Sequence, residues 1–543
     1  MERTYSTSTI RKRSVAALES ASNRKATSNE RGISNIPRKG SPMAMTARPV
    51  RSSNKEDNAT ANEAKSSSDA MASKSPKRQH YGFQPSANWM IRSPLLWAVA
   101  VVLPLFYWVY SKQGHGTSLA DATKTSDIPT GDRDTTTTTI LEEYRTLIEL
   151  SIPPGALTPG EHRKGRYGKV HATFCAIDWD LQSANPSTVP MFKDLKGRSS
   201  SCKATKTVVT DFYKLARAAR DYDAEQSDRN ETDEAPYPSG VVFHETRCGS
   251  TLVANLLAGS SPTMGTSRVY SESPPPIAAL QACARNGGNA CDPDLHSSLI
   301  RDVFYVMGRR RPASPKAEQH RVFYKIQSIG SMSIDKFTAA FPTVPWIFVY
   351  RDTVEILQSH LQQGRTNPTN SQGQQKSTVI PKVCTRNYNL GLNRQPATTL
   401  EAMKDAGVAI DKPPSASLDP IEYCAAHLAG LSLAALHEHD RWQSNHKQAA
   451  SGGGRFVEYS QLPDRLWNEI LPDHFGLGRP LPEQAISNME TIAGVYSKGR
   501  GKKANQEWAS DSEAKQETAS KQVTEAAKRF ASGAYERMKA LSS

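Results

Sequence analysis

Apolar residues fall along this chain in bursts of very different length. From Met1 to about Ser86 the sequence is Ser, Ala, Asn, Thr, Lys and Arg with no sustained apolar period. Such a segment cannot bury enough surface to offset the entropy of ordering, which predicts a disordered tail over 1–88. Pro94 to Tyr110 (PLLWAVAVVLPLFYWVY) then runs without a charge, bracketed by Arg92 and Lys112 and edged by Trp89, Trp97, Tyr107, Trp108 and Tyr110. As a helix it would be ~26 Å long, the short end of what spans a bilayer, with aromatics where membrane interfaces favour them. One transmembrane signal-anchor helix is expected over 89–112, kinked at Pro104. A polar stem rich in Thr, Asp and Ser is expected over 113–150, with a short helix over Ile140 to Leu150.

Beyond residue 150 short apolar runs of strand type alternate with helical ones. Gly240 to Phe243 predicts a strand that turns into a helix beginning near Leu252; Leu295 to Met307 predicts a helix, and Val322 to Ile326 and Val344 to Tyr350 predict buried strands. A long helix follows over Ile421 to Trp442, whose His427, His437 and His439 are read as surface or core residues. A strand is expected over Arg455 to Tyr459 and a short helix over Leu466 to Phe475. Val523, Ala527, Phe530, Ala534, Met538 and Leu541 recur at helical spacing, predicting one amphipathic helix over Glu513 to Leu541. The pattern is that of an α/β domain over 151–543, with its core at about 235–510. Pro153 to Arg220 says little beyond a piece at Val170 to Ile177. The acidic cluster Asp221 to Glu234 suggests an exposed loop containing the glycosylation sequon Asn230-Glu231-Thr232.

Charge sharpens this layout. The net charge is +14, yet residues 1–92 alone hold 17 Lys and Arg against 7 Asp and Glu, so the basicity belongs mostly to the tail. A span between tail and body argues against nucleic acid as a partner. Lys74, Lys77, Arg78 and Arg92 before the span place that side in the cytosol, and the body then faces a lumen. All seven cysteines lie after the span, as an oxidising compartment favours. Cys175–Cys202, Cys283–Cys291 and Cys384–Cys424 are the pairs chosen from those that six cysteines allow, leaving Cys248 unpaired. No spacing suggests a metal site.

Candidate chemistry concentrates in two turns. His244-Glu245-Thr246-Arg247-Cys248-Gly249-Ser250-Thr251 joins a strand to a helix, where the first N–H groups and the dipole favour an anion. Gly249 lets the backbone approach, Arg247 supplies charge, and Ser250 and Thr251 supply hydroxyls. A hundred residues on, Arg351 ends the run VPWIFVY and Ser359 follows eight positions later, two helical turns further. An arginine at a sheet's carboxyl edge with a helical hydroxyl makes a second anion site. Glu272 stands at a strand end beside Pro274 to Pro276, where a carboxylate can serve as a general base. His244 is its rival.

Together the two turns resemble those of the sulfotransferase family, in order, in strand-loop-helix context and in the spacing from arginine to serine. The resemblance covers roughly Gly240 to Trp508. It implies a P-loop-like three-layer fold with a central, mainly parallel sheet flanked by helices. It further implies that Arg247, Cys248, Gly249, Ser250 and Thr251 hold the 5′-phosphosulfate of 3′-phosphoadenosine 5′-phosphosulfate, and that Arg351 and Ser359 hold its 3′-phosphate. Glu272 looks like the base of the protein-tyrosine branch, and Lys498 and Arg500 in Tyr496 to Gly501 resemble the basic loop that closes over the nucleotide. Thr353 stands where the family often has proline. The expected activity is sulfuryl transfer, without a metal, to a hydroxyl or amine of a glycan or protein acceptor, by a single-pass type II Golgi membrane enzyme. A nucleotide kinase or NTPase is the competing class, although Gly-x4-Gly-Lys-Ser/Thr is missing. A non-catalytic lumenal binding protein is another.

Overall fold

The computed structural model describes residues 131–227, 238–260, 265, 267–285, 291–309, 320–365, 382–445, 453–499 and 506–542. The expected tail, transmembrane segment and sequon lie outside the described residues. Among those described, no helix is long and apolar enough to cross a membrane.

The first described elements, helix α1 (Gly131–Glu142) and strand β1 (Thr146–Ser151), fall inside the stretch expected to be a stem. The helix expected over Ile140 to Leu150 is therefore corrected. Tyr144 takes a positive φ of 49° and ends the helical path, and Leu147, Ile148 and Leu150 then pack in a strand while Glu149 faces out. β1 pairs antiparallel with β2 (His171–Cys175), and β2 with β3 (Thr207–Val209). Helix α2 (Phe212–Ser227) runs through the first half of the acidic cluster expected to be a loop. One of those acids braces the fold, since Asp223 accepts from Tyr305 Oη at 2.8 Å and from Arg309 Nε at 2.7 Å.

The main sheet is five parallel strands: β4 (Gly240–His244), β5 (Ser267–Ser271), β6 (Arg321–Lys325), β7 (Trp346–Tyr350) and β8 (Gly454–Glu458). Their order is β5-β6-β4-β7-β8, so the chain reverses direction across the sheet on either side of β4. Alternation across a pleat sends successive side chains to opposite faces. Trp346, Phe348 and Tyr350 accordingly join one core with Phe243 and Tyr324, while Ile347 and Val349 join another with Val242 and Phe323. Both faces are covered by helices, which is why β4 and β7 are buried at every position.

The flanking helices include α3 (Ser250–Gly259), α4 (Pro274–Leu280), α5 (Pro293–Gly308), α6 (Thr353–Arg365), α7 (Pro420–Asn445) and α8 (Glu483–Ala493). The single helix expected over Glu513 to Leu541 is three: α9 (Ser512–Glu517), α10 (Lys521–Phe530) and α11 (Ser532–Ser542). Ser520 caps α10 by accepting from the Val523 N–H, a local bond that competes with continuing α9. The apolar stripe survives the break: Val523, Ala527, Phe530, Ala534 and Met538 are buried, whereas Leu541 is exposed. The edge strand β5 is closed by a side chain, since the Gln182 amide both donates to and accepts from the Val269 backbone, at 2.9 and 3.0 Å.

Three disulfides join Cys175 to Cys202, Cys283 to Cys291 and Cys384 to Cys424, and Cys248 is a free, buried thiol. This is the expected pairing. Three disulfides are consistent with a secreted or lumenal protein.

Candidate functional site

The crevice of an open parallel sheet lies outside the carboxyl ends of its strands, where the strand order reverses. Here all five strands end in a side chain of the site. Beyond β4 come Glu245 to Ser250, beyond β5 Glu272, beyond β7 Arg351 and beyond β8 Tyr459, while Lys325 is the last residue of β6.

The β4–α3 turn is shaped by two positive φ angles, 60° at Arg247 and 85° at Gly249. A Cβ at Gly249 would lie 2.4 Å from Tyr459 Cδ2, so both the backbone angle and the packing require glycine. Helix α3 begins at Ser250 with Gly249, which has no side chain to cap it, at its N-cap. Arg247 is half-buried, its Nε lies out of solvent without a hydrogen-bond partner among the described residues, and burial lowers its pKa. Arg351 lies close enough to add to that effect. Cys248 has no exposed surface; its Sγ donates to the Glu245 carbonyl, and burial pushes the thiol up to about 12, which makes it a packing group rather than a nucleophile.

The β7–α6 turn places Arg351 beside the first. Its guanidinium donates to Glu355, to Asp511 Oδ1 at 2.8 Å and to Ser512 Oγ at 3.0 Å, and stacks 4.1 Å over the Tyr459 ring. Two contacts tie the turns together. Glu245 Oε2 accepts from the Arg351 N–H at 3.1 Å, and Thr246 Oγ1 lies 2.7 Å from His360 Nε2. His360 is neutral, its pKa lowered to about 3 by burial and then by Arg247.

Arg247, Cys248, Gly249, Ser250, Thr251, Arg351, Ser359 and Lys498 all line one cleft of about 390 Å³. Tyr459, Tyr496, Trp508, Asp511 and Lys515 complete it. The turn carrying Lys498 is held to α3 by Asn255, whose amide donates to the Ser497 carbonyl at 2.9 Å. Arg500 lies outside the described residues.

Glu272, in contrast, opens on a neighbouring cavity of about 210 Å³ shared with Gln327, Ser328, Arg386, Asn387 and His427. Its φ of 59° aims it from the β5 end. It is ion-paired with the wholly buried Lys325, and His244 Nε2 lies 3.8 Å away. Burial alone would push the carboxyl up; Lys325 and then His244 overcome it and hold Glu272 down at about 2. His244 Nδ1 faces its neighbour's carbonyl oxygen at 2.5 Å, which assigns the proton to Nδ1 and leaves Nε2 as the lone-pair nitrogen. Burial and then Lys325 lower His244 to about 3, so it is neutral. His244 lines neither cavity. Lys498, which lines the first cleft, adds to the positive field at both Glu272 and His244.

Sequence reasoning missed Lys325 as the partner of Glu272, and missed Tyr459, Asp511 and Lys515 altogether as site residues. Lys325 and Tyr459 could have been found as the polar residues ending or following two apolar strands. Asp511 and Lys515 carry no such signal. No protein-family model matches this chain, and no curated protein matches it.

Proposed function

We propose that the protein is a sulfotransferase with a P-loop-like fold. It moves a sulfuryl group from 3′-phosphoadenosine 5′-phosphosulfate to a hydroxyl or amine of a glycan or protein. The observation that carries this reading is that both anion-gripping turns, a hundred residues apart in sequence, line one cleft. The residues present suit such a donor. A helix N-terminus with glycine at its N-cap, a buried Arg247 Nε without a hydrogen-bond partner among the described residues and a backbone that admits close approach form one anion site; Arg351 and Ser359 form the other.

The donor supplies an activated sulfur–oxygen bond to a good leaving phosphate. Arg247 and Lys498 then stand where charge grows on the leaving oxygen, as fixed cations that need no reorganisation. Glu272, opening on the second cavity, is the group an incoming acceptor hydroxyl meets and the one that takes its proton. Lys325 fixes the carboxylate's orientation and keeps it ionised. His244, enclosed behind Glu272, supports that pair rather than contacting the acceptor. Anchorage by the 94–110 segment as a single-pass type II Golgi protein belongs to this same reading.

The test uses the full chain in detergent. Binding of adenosine 3′,5′-bisphosphate and transfer of labelled sulfate to mixed glycan and peptide acceptors are expected. Arg351→Ala should weaken the nucleotide by ~1.5–3 kcal/mol, the worth of a charge-assisted contact. Full affinity in that variant, or no binding by the wild type, would end the proposal.

A further inference from the structure

Glu245 lies between the two turns and faces neither cavity. It is 2 % exposed, and every polar atom it has is used. Its N–H donates to the Val349 carbonyl at 3.1 Å, which extends the β4–β7 pairing by one residue beyond the strands. Its own carbonyl receives the Cys248 thiol at 3.0 Å and the His244 Nδ1–H. Its carboxyl reaches across to the second turn, accepting the Arg351 N–H at 3.1 Å on Oε2, and to α7, accepting the Ser432 hydroxyl at 2.6 Å on Oε1. Withdrawing this side chain would leave the Arg351 N–H buried beside the arginine that the donor reading assigns to the 3′-phosphate.

The surroundings of the carboxyl are short of positive charge. From the β7–α6 turn come the Arg351 N–H and the Asp352 carboxylate; from β7 comes the Tyr350 phenol; from its own turn comes the Cys248 thiol; from α7 comes the Ser432 hydroxyl. The Arg351 guanidinium is engaged by Glu355 and Asp511 instead.

A proton can enter this arrangement without breaking it. Ser432 Oγ also lies 3.2 Å from the Leu428 carbonyl. When the carboxyl is ionised the serine donates to it. When the carboxyl is neutral, its O–H donates to Ser432 Oγ, the serine turns its own proton to Leu428, and Oε2 keeps the Arg351 N–H. Hydroxyl rotation alone separates the two states.

We propose that Glu245 is the positioning residue that fixes the two donor-gripping turns against each other, and that it carries a proton from solvent when the anionic nucleotide is bound and releases it when the nucleotide leaves. The inference rests on the donor reading above. Burial raises Glu245 to about 7, where a modest change in nearby charge shifts its occupancy. Linkage makes the effect reciprocal: anions brought to the turns favour the proton, and the proton favours the anions.

The experiment measures adenosine 3′,5′-bisphosphate affinity for the full chain, for Glu245→Gln and for Glu245→Ala. Glutamine is a permanently neutral isostere that can make the same contacts as the protonated acid. The wild type should match it near pH 6 and bind roughly tenfold more weakly near pH 8, because tenfold corresponds to about one unit of linked pKa shift. The comparison removes the nucleotide's own titration. Glu245→Ala should bind more weakly than wild type at both pH values. Should Glu245→Gln be too unstable to assay, Ser432→Ala serves instead. It removes a donor to the ionised form from outside the cleft, and it should move the pH of half-effect upward. A glutamine-to-wild-type ratio that does not change with pH, an alanine variant that binds like wild type, or an unmoved half-effect in Ser432→Ala overturns the proposal while leaving the donor site standing. A wild type that binds no bisphosphate at any pH overturns both.

Discussion

Tyr459 packs against both the β4–α3 turn and the β7–α6 turn. Its ring lies 4.1 Å under the Arg351 guanidinium, and its Cδ2 would be 2.4 Å from a Cβ placed on Gly249. One aromatic side chain from the end of β8 therefore sets the distance between a backbone that must come close and a cation that must stay in place. A guanidinium over an aromatic face gains ~0.5–2 kcal/mol.

Gly249→Ala should lose nucleotide binding without unfolding the protein. A non-glycine residue at a φ of 85° costs ~1–3 kcal/mol, and the added methyl group must push Tyr459 away. Calorimetric titration with adenosine 3′,5′-bisphosphate, beside a thermal melt, checks this. A variant that binds as wild type would show that the turn does not touch the ligand.

Asp511 competes for the cation assigned to the 3′-phosphate. Its carboxylate accepts from Arg351 at 2.8 Å and from Lys515 at 2.6 Å, so an entering phosphate must displace it. Asp511→Asn removes the competing charge and should tighten nucleotide binding several-fold, about 1 kcal/mol for a partly exposed pair. Weaker binding would instead make Asp511 part of the recognition.

Glu272→Gln separates chemistry from binding. Loss of a general base lowers turnover by ~10²–10⁴-fold, and bisphosphate affinity should stay within about twofold, because Glu272 opens on the other cavity. Unchanged turnover would transfer the role to another group. His244→Asn then tests the nearest lone-pair nitrogen, 3.8 Å away.

Acid should destabilise the fold well above the range of ordinary carboxylates. His244 and His360 are held to about 3 and His427 and His474 to about 4, each chiefly by burial, against about 6.5 when unfolded. For a depressed histidine the stabilisation is complete above the unfolded value and is lost as pH falls through the folded one, at about 1.4 kcal/mol per pH unit for each proton. Glu245, raised to about 7, works in the opposite sense, its penalty relaxing as pH falls from about 7 toward its unfolded value of 4.5. Four groups outweigh one, so urea midpoints should drop between about pH 6 and pH 4.5. A flat profile there would mean that these imidazoles already reach water.

How much of this was legible in the sequence differs from element to element. The strands Gly240–His244 and Trp346–Tyr350 announced themselves because both faces of the sheet are covered there, which writes each one as a nearly unbroken apolar run, while Arg321–Lys325 and Gly454–Glu458 kept a shorter apolar centre between charged residues. The glycine at 249 and the arginines at 247 and 351 were visible because close approach and fixed positive charge each admit few residue types. β1 was mistaken for helix, and the terminal helix for a continuous one. A run of six residues fits either period, and a hydroxyl cap such as Ser520 can interrupt a helix without disturbing its apolar stripe.

Local chemistry thus determined which side chains each turn carries and roughly which stretches are buried. Strand order decided the rest. Only a sheet that pairs β7 with β4 and β6 with β5 brings Arg351 beside Arg247 and Lys325 against Glu272, and no local spacing records it, because contacts across a sheet depend on how distant segments pair. The partners of Arg351 illustrate this most plainly: Glu355 stands one helical turn away in sequence, whereas Tyr459 and Asp511 reach it only through the fold.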